Sequence, residues 1–579
     1  DLRGSLISEE EFPPERDISG EEPRIGVFVC HCGINIGGVV DVPAVKEYAR
    51  SLSHVAYVDE NLYTCSQDTQ TKIKETIKEN NLNRVVVASC SPRTHEPLFQ
   101  KTIREAGLNK YLFEMANIRD QCSWVHMNMK EEATKKAKHL VRMAIAAADY
   151  VEPLQEQEIS IQKRALVVGG GGSGMAAASG LADQGFEVFL VEKEKELGGN
   201  LRNMYYTIHG NGVREKMDSL IDKVLNHPSI QVILDGTIVD FTGFKGNFKT
   251  GIISGPGMAY RQIEHGVSII ATGGEEYKPQ EYFYGEDERV TTQQELEGRI
   301  GRKEINFEGV DQVAMIQCVG SRIPERPYCS RLCCSAAIKN ALKIKEKNPK
   351  TEVFILYRDI RTYGLLEDYY TKARKAGVIF IRYDLENKPE LTREEDLSLS
   401  VFDPALGEKV LLSPQLLVLS SAIVPRENEE LASLMKLQRT AEGFFLEAHM
   451  KLRPVDFATE GMYMCGLAHS PKPLDESFSQ AAAAVSRACT LLSHDTISVG
   501  GMVARVEEEK CVACLTCVRA CPYDVPFINE EGIAQIDAAS CQGCGSCAAE
   551  CPGKAIQLQH ATDEQIVAKS IALFKEEVA

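Results

Sequence analysis

The chain has 579 residues, 44% of them hydrophobic, and a formal net charge of −18. That length is too great for one core and calls for three or four domains. The acidity speaks against nucleic acid and anionic membrane surfaces as partners, and no apolar run is long enough to span a bilayer.

Residues 1–23 are acidic, contain Pro13 and Pro14, and read as an arm or linker. The first residues, Asp-Leu-Arg, show no basic and apolar export pattern. From Arg24 an α/β pattern begins and makes a domain of 24–150. Strands are expected at 25–29, 55–58 and 84–89, with helices at 42–52, 69–79 and 133–148. Cys30 and Cys32 follow the first strand, Cys65 a strand-like segment, and Cys90 the third strand. In a parallel sheet the carboxyl ends of the strands share one edge, where ligands bind. These cysteines are candidate ligands of one cluster; Cys122 is a fifth thiol for four corners.

Residues 151–162 read as a linker. A second α/β pattern occupies 163–498 and opens with the apolar strand 165–168. The turn Gly169-Gly170-Gly171-Gly172-Ser173-Gly174 follows, then a small-residue helix through Leu181. This is Gly-x-Gly-x-x-Gly in its strand–turn–helix context. Gly169 makes the tight turn, Gly171 lets a pyrophosphate approach the backbone, and Gly174 packs the helix on the strand. The helix N-terminus, with Ser173 in its first turn, faces the phosphates. Glu192 ends the strand 187–191, where a carboxylate accepts ribose hydroxyls; Lys193 follows it, then Gly198 and Gly199. Ala271-Thr272-Gly273 and the segment ending at Gly466 complete a pattern similar to thioredoxin-reductase-type flavoproteins, so FAD is the expected cofactor. The second glycine motif of such reductases, for a nicotinamide nucleotide, is expected after 312–317. Cys318-Val319-Gly320-Ser321-Arg322 stands there instead.

Cys318, Cys329, Cys333 and Cys334 fall within seventeen residues, enough thiolates for a [4Fe–4S] cluster. Lys339, five residues after Cys334, can point back toward whatever these cysteines border. The region 499–560 contains Cys511, Cys514, Cys517 and Cys521 before Pro522, then Cys541, Cys544, Cys547 and Cys551 before Pro552. Two such runs mark a ferredoxin with two [4Fe–4S] clusters in which the fourth cysteine of each run serves the other cluster. One cluster is expected on Cys511, Cys514, Cys517 and Cys551, the other on Cys541, Cys544, Cys547 and Cys521. Zinc also binds CxxC pairs, but the third spacing followed by Cys-Pro, twice, does not suit it. With 19 cysteines grouped this way, a reducing cytoplasm is expected, that of an anaerobe. Residues 561–579 read as an amphipathic helix.

Across nearly all of 24–579 the chain resembles the A subunits of the heterodisulfide reductases. Long strings carry the resemblance, among them Val29-Cys-His-Cys-Gly-Ile-Asn-Ile36, Ala88-Ser-Cys-Ser-Pro-Arg-Thr-His-Glu-Pro97 and Tyr328-Cys-Ser-Arg-Leu-Cys-Cys334. The resemblance implies an α/β iron–sulfur flavoprotein with an N-terminal cluster domain, a thioredoxin-reductase-like FAD domain of two dinucleotide-binding-type subdomains, and a C-terminal α+β ferredoxin domain. It also implies flavin-based electron bifurcation or confurcation between a two-electron donor, a disulfide-type or other high-potential acceptor, and ferredoxin. The partners implied are B- and C-like subunits and a donor subunit of hydrogenase, formate dehydrogenase or NADH-dehydrogenase type, around a homodimer. Lys339 is placed near the flavin N5, with Glu295 close by. One departure stands out: family members often insert a second two-cluster ferredoxin after the Gly-Gly, whereas residues 200–245 here contain no cysteine. A non-bifurcating flavin and iron–sulfur relay in a quinone-linked or aromatic acyl-CoA reductase complex is the alternative.

Overall fold

The computed structural model describes residues 11–210 and 212–574. The start of the expected arm, 1–10, and the end of the expected tail helix, 575–579, lie outside the described residues. The chain divides into two units, Asp1–Ile159 with Ser498–Ala579, and Ser160–Ile497.

The first unit begins with a four-stranded parallel sheet in the order β2-β1-β3-β4, where β1 is Ile25–Cys30, β2 Val55–Asn61, β3 Arg84–Ser89 and β4 Phe113–Asn117. Every residue of β1 and β3 is buried, as continuous apolar runs require when helices cover both faces. Ile25, Val27 and Val29 join the core on one face, while Phe28 joins the core on the other. The helix Val42–Arg50 (α1) is capped by Asp41, which accepts from the Ala44 amide at 3.0 Å, and has Pro43 in its first turn. Gln67–Glu79 (α2) is capped by Ser66. Pro92–Glu105 (α3) contains Pro97 and is not foreseen from the sequence, because an internal proline reads as a breaker. Lys130–Ala148 (α4) starts one turn before the expected boundary. The expected linker 151–162 contains a short strand, Glu156–Ser160.

The cysteine-rich module belongs to this unit. It has two antiparallel pairs, Ala504–Val506 with Ile556–Leu558 and Pro526–Ile528 with Ala534–Ile536, and two short helices, Thr516–Ala520 and Ser546–Glu550. His560 Nε2 lies 3.0 Å from the Tyr111 carbonyl and 2.9 Å from that of Phe113, and Lys569 pairs with the buried Glu114 at 3.2 Å. The helix Asp563–Phe574 runs along α4, where Arg142 donates to the Leu573 carbonyl at 3.3 Å.

The second unit contains two parallel five-stranded sheets. In the first, β5 (Arg164–Val168) leads into α5 (Gly172–Asp183), followed by β6 (Glu187–Val191), α6 (Val213–Asn226), β7 (Ile230–Ile233) and β8 (Val267–Ile270). The order is Met462–Met464, β8, β5, β6, β7. The second sheet, in the order β9-β13-β10-β11-β12, is built from β9 (Val290–Thr292), α7 (Gln293–Gly301), β10 (Gln312–Val319), α8 (Cys333–Lys347), β11 (Glu352–Tyr357), α9 (Glu367–Lys375), β12 (Val378–Arg382) and β13 (Leu416–Ser421). Two successive parallel α/β sheets are the architecture of a dinucleotide-binding pair. A final helix, α10 (Leu474–Leu492), packs on α5.

Candidate flavin cleft and cysteine sites

The carboxyl end of β5 runs straight into the glycine turn. Gly169 takes φ 108°, and a Cβ on Gly174 would sit 1.8 Å from the Gly169 carbonyl oxygen, so only glycine lets α5 approach β5 this closely. A Cβ on Gly171 would meet nothing within 4 Å, because that position faces open space. The space is a cleft of about 1230 Å³. Gly169, Gly171 and Ser173 line it at the turn, and Glu192, Lys193 and Gly199 at the end of β6. Ala271, Thr272 and Gly273 line it after β8. Gly198 and Gly466 stand behind the wall. The Gly198 amide donates to the Gly170 carbonyl at 2.9 Å, and the Gly466 carbonyl accepts from Lys472.

These residues fit an adenine dinucleotide. The Glu192 carboxylate is fixed by the amides of Gly170 and Glu194, which leaves its remaining lone pairs for ribose hydroxyls. Thr272 Oγ1 and Ser421 Oγ are buried at the cleft wall without a hydrogen-bond partner, as groups waiting for a ligand are.

The far wall comes from the second sheet. Lys339, on α8, lines the cleft, and its ammonium lies 2.6 Å from Glu297 Oε2 and 2.8 Å from the Tyr206 carbonyl. Glu297, not Glu295, is the carboxylate paired with Lys339. Glu295 closes a capping box with Thr292 at the start of α7 and bonds Tyr284 at 2.6 Å. The sequence reading also overlooked Lys472. Burial, then the nearby Arg331, pull its ammonium down to about 8. It donates to the carbonyls of Gly466 and Ser470 at 2.7 and 2.8 Å.

Cys333, at the first turn of α8, lines the same cleft. Burial first, and then Cys334, Cys318 and Cys329, raise its thiol well above the ordinary value, so all four thiols of the middle group are neighbours. Cys318 takes φ 61° and Arg331 φ 62°, left-handed conformations that cost non-glycine residues energy and gather at functional sites.

In the first unit, Cys30 ends β1 and Cys90 follows β3 at the carboxyl edge of the sheet. The Cys65 thiol is raised by burial, then by Cys30 and, less, by Cys32. Burial pushes the Cys90 thiol up to about 11, with Arg119 opposing and Cys32 and Cys30 adding to it. Arg119 Nη1 reaches Cys32 Sγ at 4.0 Å. Cys122 is apart from these four: its thiol donates to the Ala133 carbonyl at 3.0 Å inside the core beneath α4. The structure thus brings Cys30, Cys32, Cys65 and Cys90 together and leaves Cys122 out.

In the C-terminal module, Cys511, Cys514, Cys517 and Cys551 line one cavity. Cys547 has Cys541, Cys521 and Cys544 as its neighbours, in that order of influence. Ala513 and Leu515 take φ 53° and 63°, matching Gly543 and Gly545 of the second run at 62° and 77°. The left-handed turns wrap each run around its centre. Among the described residues no three His, Cys, Asp or Glu side chains converge on a single metal ion. A four-iron cube takes one thiolate at each of four separate corners, so its ligands need not converge on one point.

Residues 504–552 match the family described as a 4Fe-4S dicluster domain, and residues 167–217 an NAD(P)-binding Rossmann-like domain. The chain is 38% identical to an iron–sulfur A subunit of the CoB–CoM heterodisulfide reductase of Methanopyrus kandleri, over 88% of this chain and 92% of that one. It is 38% identical to the A subunit of the H(2):CoB-CoM heterodisulfide,ferredoxin reductase of Methanothermobacter thermautotrophicus, over 96% and 98%. The chain belongs to the family of heterodisulfide reductase A subunits. Among solved structures, thioredoxin reductase of T. acidophilum matches with a TM-score of 0.39 and 15% identity, over 57% of this chain and 98% of that one.

Family and motifs together make this chain an oxidoreductase, an electron-transferring flavoprotein subunit that carries FAD and [4Fe–4S] clusters. The match to the Methanothermobacter relative runs over 654 positions against 579 residues here, so the relative has segments this chain lacks. Among the described residues no helix is long and apolar enough to cross a membrane.

Proposed function

We propose that the chain accepts electron pairs in its flavin cleft and distributes single electrons through its cysteine clusters, within a heterodisulfide-reductase-like complex. The observation that carries this reading is the shared wall: Cys333 of the middle group lines the same cleft as the glycine turn and the Lys339–Glu297 pair. FAD bound there supplies exchange between two-electron and one-electron chemistry. Around it the chain's own residues set the conditions. Lys339, held by Glu297 and the Tyr206 carbonyl, keeps an ammonium on the cleft wall, where a cation favours a reduced, anionic ring. The middle thiols offer an exit beside it, and the N-terminal and ferredoxin-type cysteines provide further stations. In this reading electrons pass between a two-electron donor protein, a disulfide-type or other high-potential acceptor handled by B- and C-like subunits, and ferredoxin. The assembly is a cytoplasmic complex built on a homodimer of this chain.

One observation favours a second reading. Residues 200–245 contain no cysteine, so this stretch offers no thiolate ligands for a further cluster. A relay in a quinone-linked or aromatic acyl-CoA reductase complex needs only one path. Anaerobic redox titration of the loaded chain, followed by visible absorption and electron paramagnetic resonance, separates the two. Distribution from pairs predicts a two-electron flavin wave without an accumulating flavin radical. A radical signal persisting over a wide span of potential replaces it with the relay.

A further inference from the structure

The segments that carry the N-terminal cysteines also carry an apolar rim. Ile34, one residue after Cys32-Gly33, is 86% exposed. Leu62 and Tyr63, just before Cys65, are exposed, as are Trp124, Val125 and Met127 after β4. Trp124 is the only tryptophan of the chain, and it is 49% exposed.

Contacts tie these segments into one surface. A Cβ on Gly33 would stand 2.9 Å from the Tyr63 hydroxyl, and Cys30 Sγ lies 3.9 Å from the Leu62 carbonyl. Ser123 Oγ donates to the Asn35 carbonyl at 2.7 Å. Arg119 sits 4.7 Å from the Trp124 ring and 4.0 Å from Cys32 Sγ, so it links the aromatic rim to the thiols.

This is not scattered surface hydrophobicity. Large exposed apolar patches mark interaction sites, and a Trp–Arg pair is the residue combination that anchors interfaces. Six large side chains, each 48% exposed or more, present roughly 500–800 Å², close to the ~800 Å² per partner of a stable interface. The charges around the rim are paired: Arg119 with Asp120, and Lys46 with Asp59 and Glu60. A partner held here meets a neutral, apolar face, which suits a permanent subunit better than a steered, transient carrier.

We infer that the Ile34–Tyr63–Trp124 rim over the N-terminal cysteines is the docking surface for a permanently bound subunit with an apolar contact face and a one-electron iron–sulfur centre of its own. One electron crosses the interface per event; no bond is made or broken, and the partner's centre is the one-electron oxidant or reductant. The inference rests on the function proposed above for the direction of use, and on the surface alone for the contact.

The test is hydroxyl-radical footprinting of the full chain, alone and in the complex purified from its native source. Modification of Trp124 and Met127 is read by mass spectrometry. The rim is expected to be modified in the isolated chain and protected about tenfold or more in the complex, as burial in a well-packed interface core produces. Cross-links from Lys130, beside the rim, are expected to reach a subunit that binds an iron–sulfur cluster. No protection in the complex overturns the inference. So does protection in the isolated chain: if it grows with concentration, a second copy covers the rim, and if it does not, the chain covers it itself. A cross-linked subunit without a one-electron centre overturns it too. Trp124→Glu should retain iron and flavin yet lose that subunit on size exclusion; normal assembly counts against the surface. Reduction of the flavin by the donor is measured on the same samples. Its failure alone strikes the proposed function and leaves the footprint to decide the contact.

Discussion

Replacing Lys339 tests whether the cleft wall is an ion pair or a pair of solvated groups. The Lys339 and Glu297 side chains are 11% and 6% exposed, with 2.6 Å between ammonium and carboxylate. Lys339→Met keeps the length and removes the charge, leaving the Glu297 carboxylate buried. Removing one partner of a buried pair costs about 3–5 kcal/mol. Glu297 Oε1 keeps hydrogen bonds from the amides of Tyr205 and Tyr206, at 2.8 and 3.2 Å. The lower end, about 3 kcal/mol, is therefore expected. The double variant Lys339→Met/Glu297→Gln keeps an acceptor for those amides and strands no charge, so it should lie within about 1 kcal/mol of the parent. Urea titration followed by flavin fluorescence and circular dichroism reads the difference. At about 1–3 kcal/mol per molar, the single variant should lose on the order of 1 M in midpoint and the double should recover most of it. The flavin midpoint potential should fall in the single variant and return toward the parent in the double, because the local charge is then restored. A double variant as unstable as the single one refutes the argument.

Other substitutions read other parts of the structure. Gly174→Ala should abolish FAD retention while the iron content stays, because its Cβ would sit 1.8 Å from the Gly169 carbonyl oxygen; stoichiometric flavin in that variant would disprove the packing argument. Cys551→Ala should remove the same paramagnetic signal as Cys511→Ala, and Cys521→Ala the same as Cys541→Ala; the opposite pairing means each run holds its own cluster. Cys122→Ala should leave the iron content of the first unit unchanged and Cys90→Ala should lower it, since only Cys90 stands with Cys30, Cys32 and Cys65. His265 is fully buried, its ring bonded to Thr250 and to the Val267 carbonyl, and burial lowers its pKa from 6.5 to about 4. Above pH 6.5 neither folded nor unfolded state takes the proton. Between 6.5 and 4 only the unfolded state does, so stability should fall by about 3 kcal/mol across that window. His265→Gln should flatten that fall in acid denaturation curves of the second unit, and an unchanged slope would assign it to other groups.

What could be read in advance follows from how local each signal is. The ferredoxin runs and the glycine turn are written in consecutive residues, because short loops close around one ligand. The N-terminal thiols come together through sheet topology, and recognising the parallel order was enough to gather Cys30, Cys65 and Cys90. It could not exclude Cys122. Its thiol points into the core toward Ala133, and nothing in the residue type tells an inward thiol from one at the edge. The helix with Pro97 was hidden for a related reason: tertiary packing overrode a local penalty.

The carboxylate beside Lys339 shows the limit most clearly. Glu295 and Glu297 both lie on α7, two positions apart. At about 100° per residue, positions two apart point roughly 200° away from each other. Composition offers no preference between them. The choice is made by the cap: Thr292 takes the residue three positions on as its partner, and that fixes Glu295 at the helix start, bonded to the Thr292 amide at 3.0 Å. Once Glu295 is committed to the cap, the opposite face carries Glu297 inward to Lys339. Threonine followed three positions on by glutamate is the signature of a capping box, so this signal was present in the sequence. The partner of Lys339 was therefore legible by elimination, through the structural duty of its neighbour.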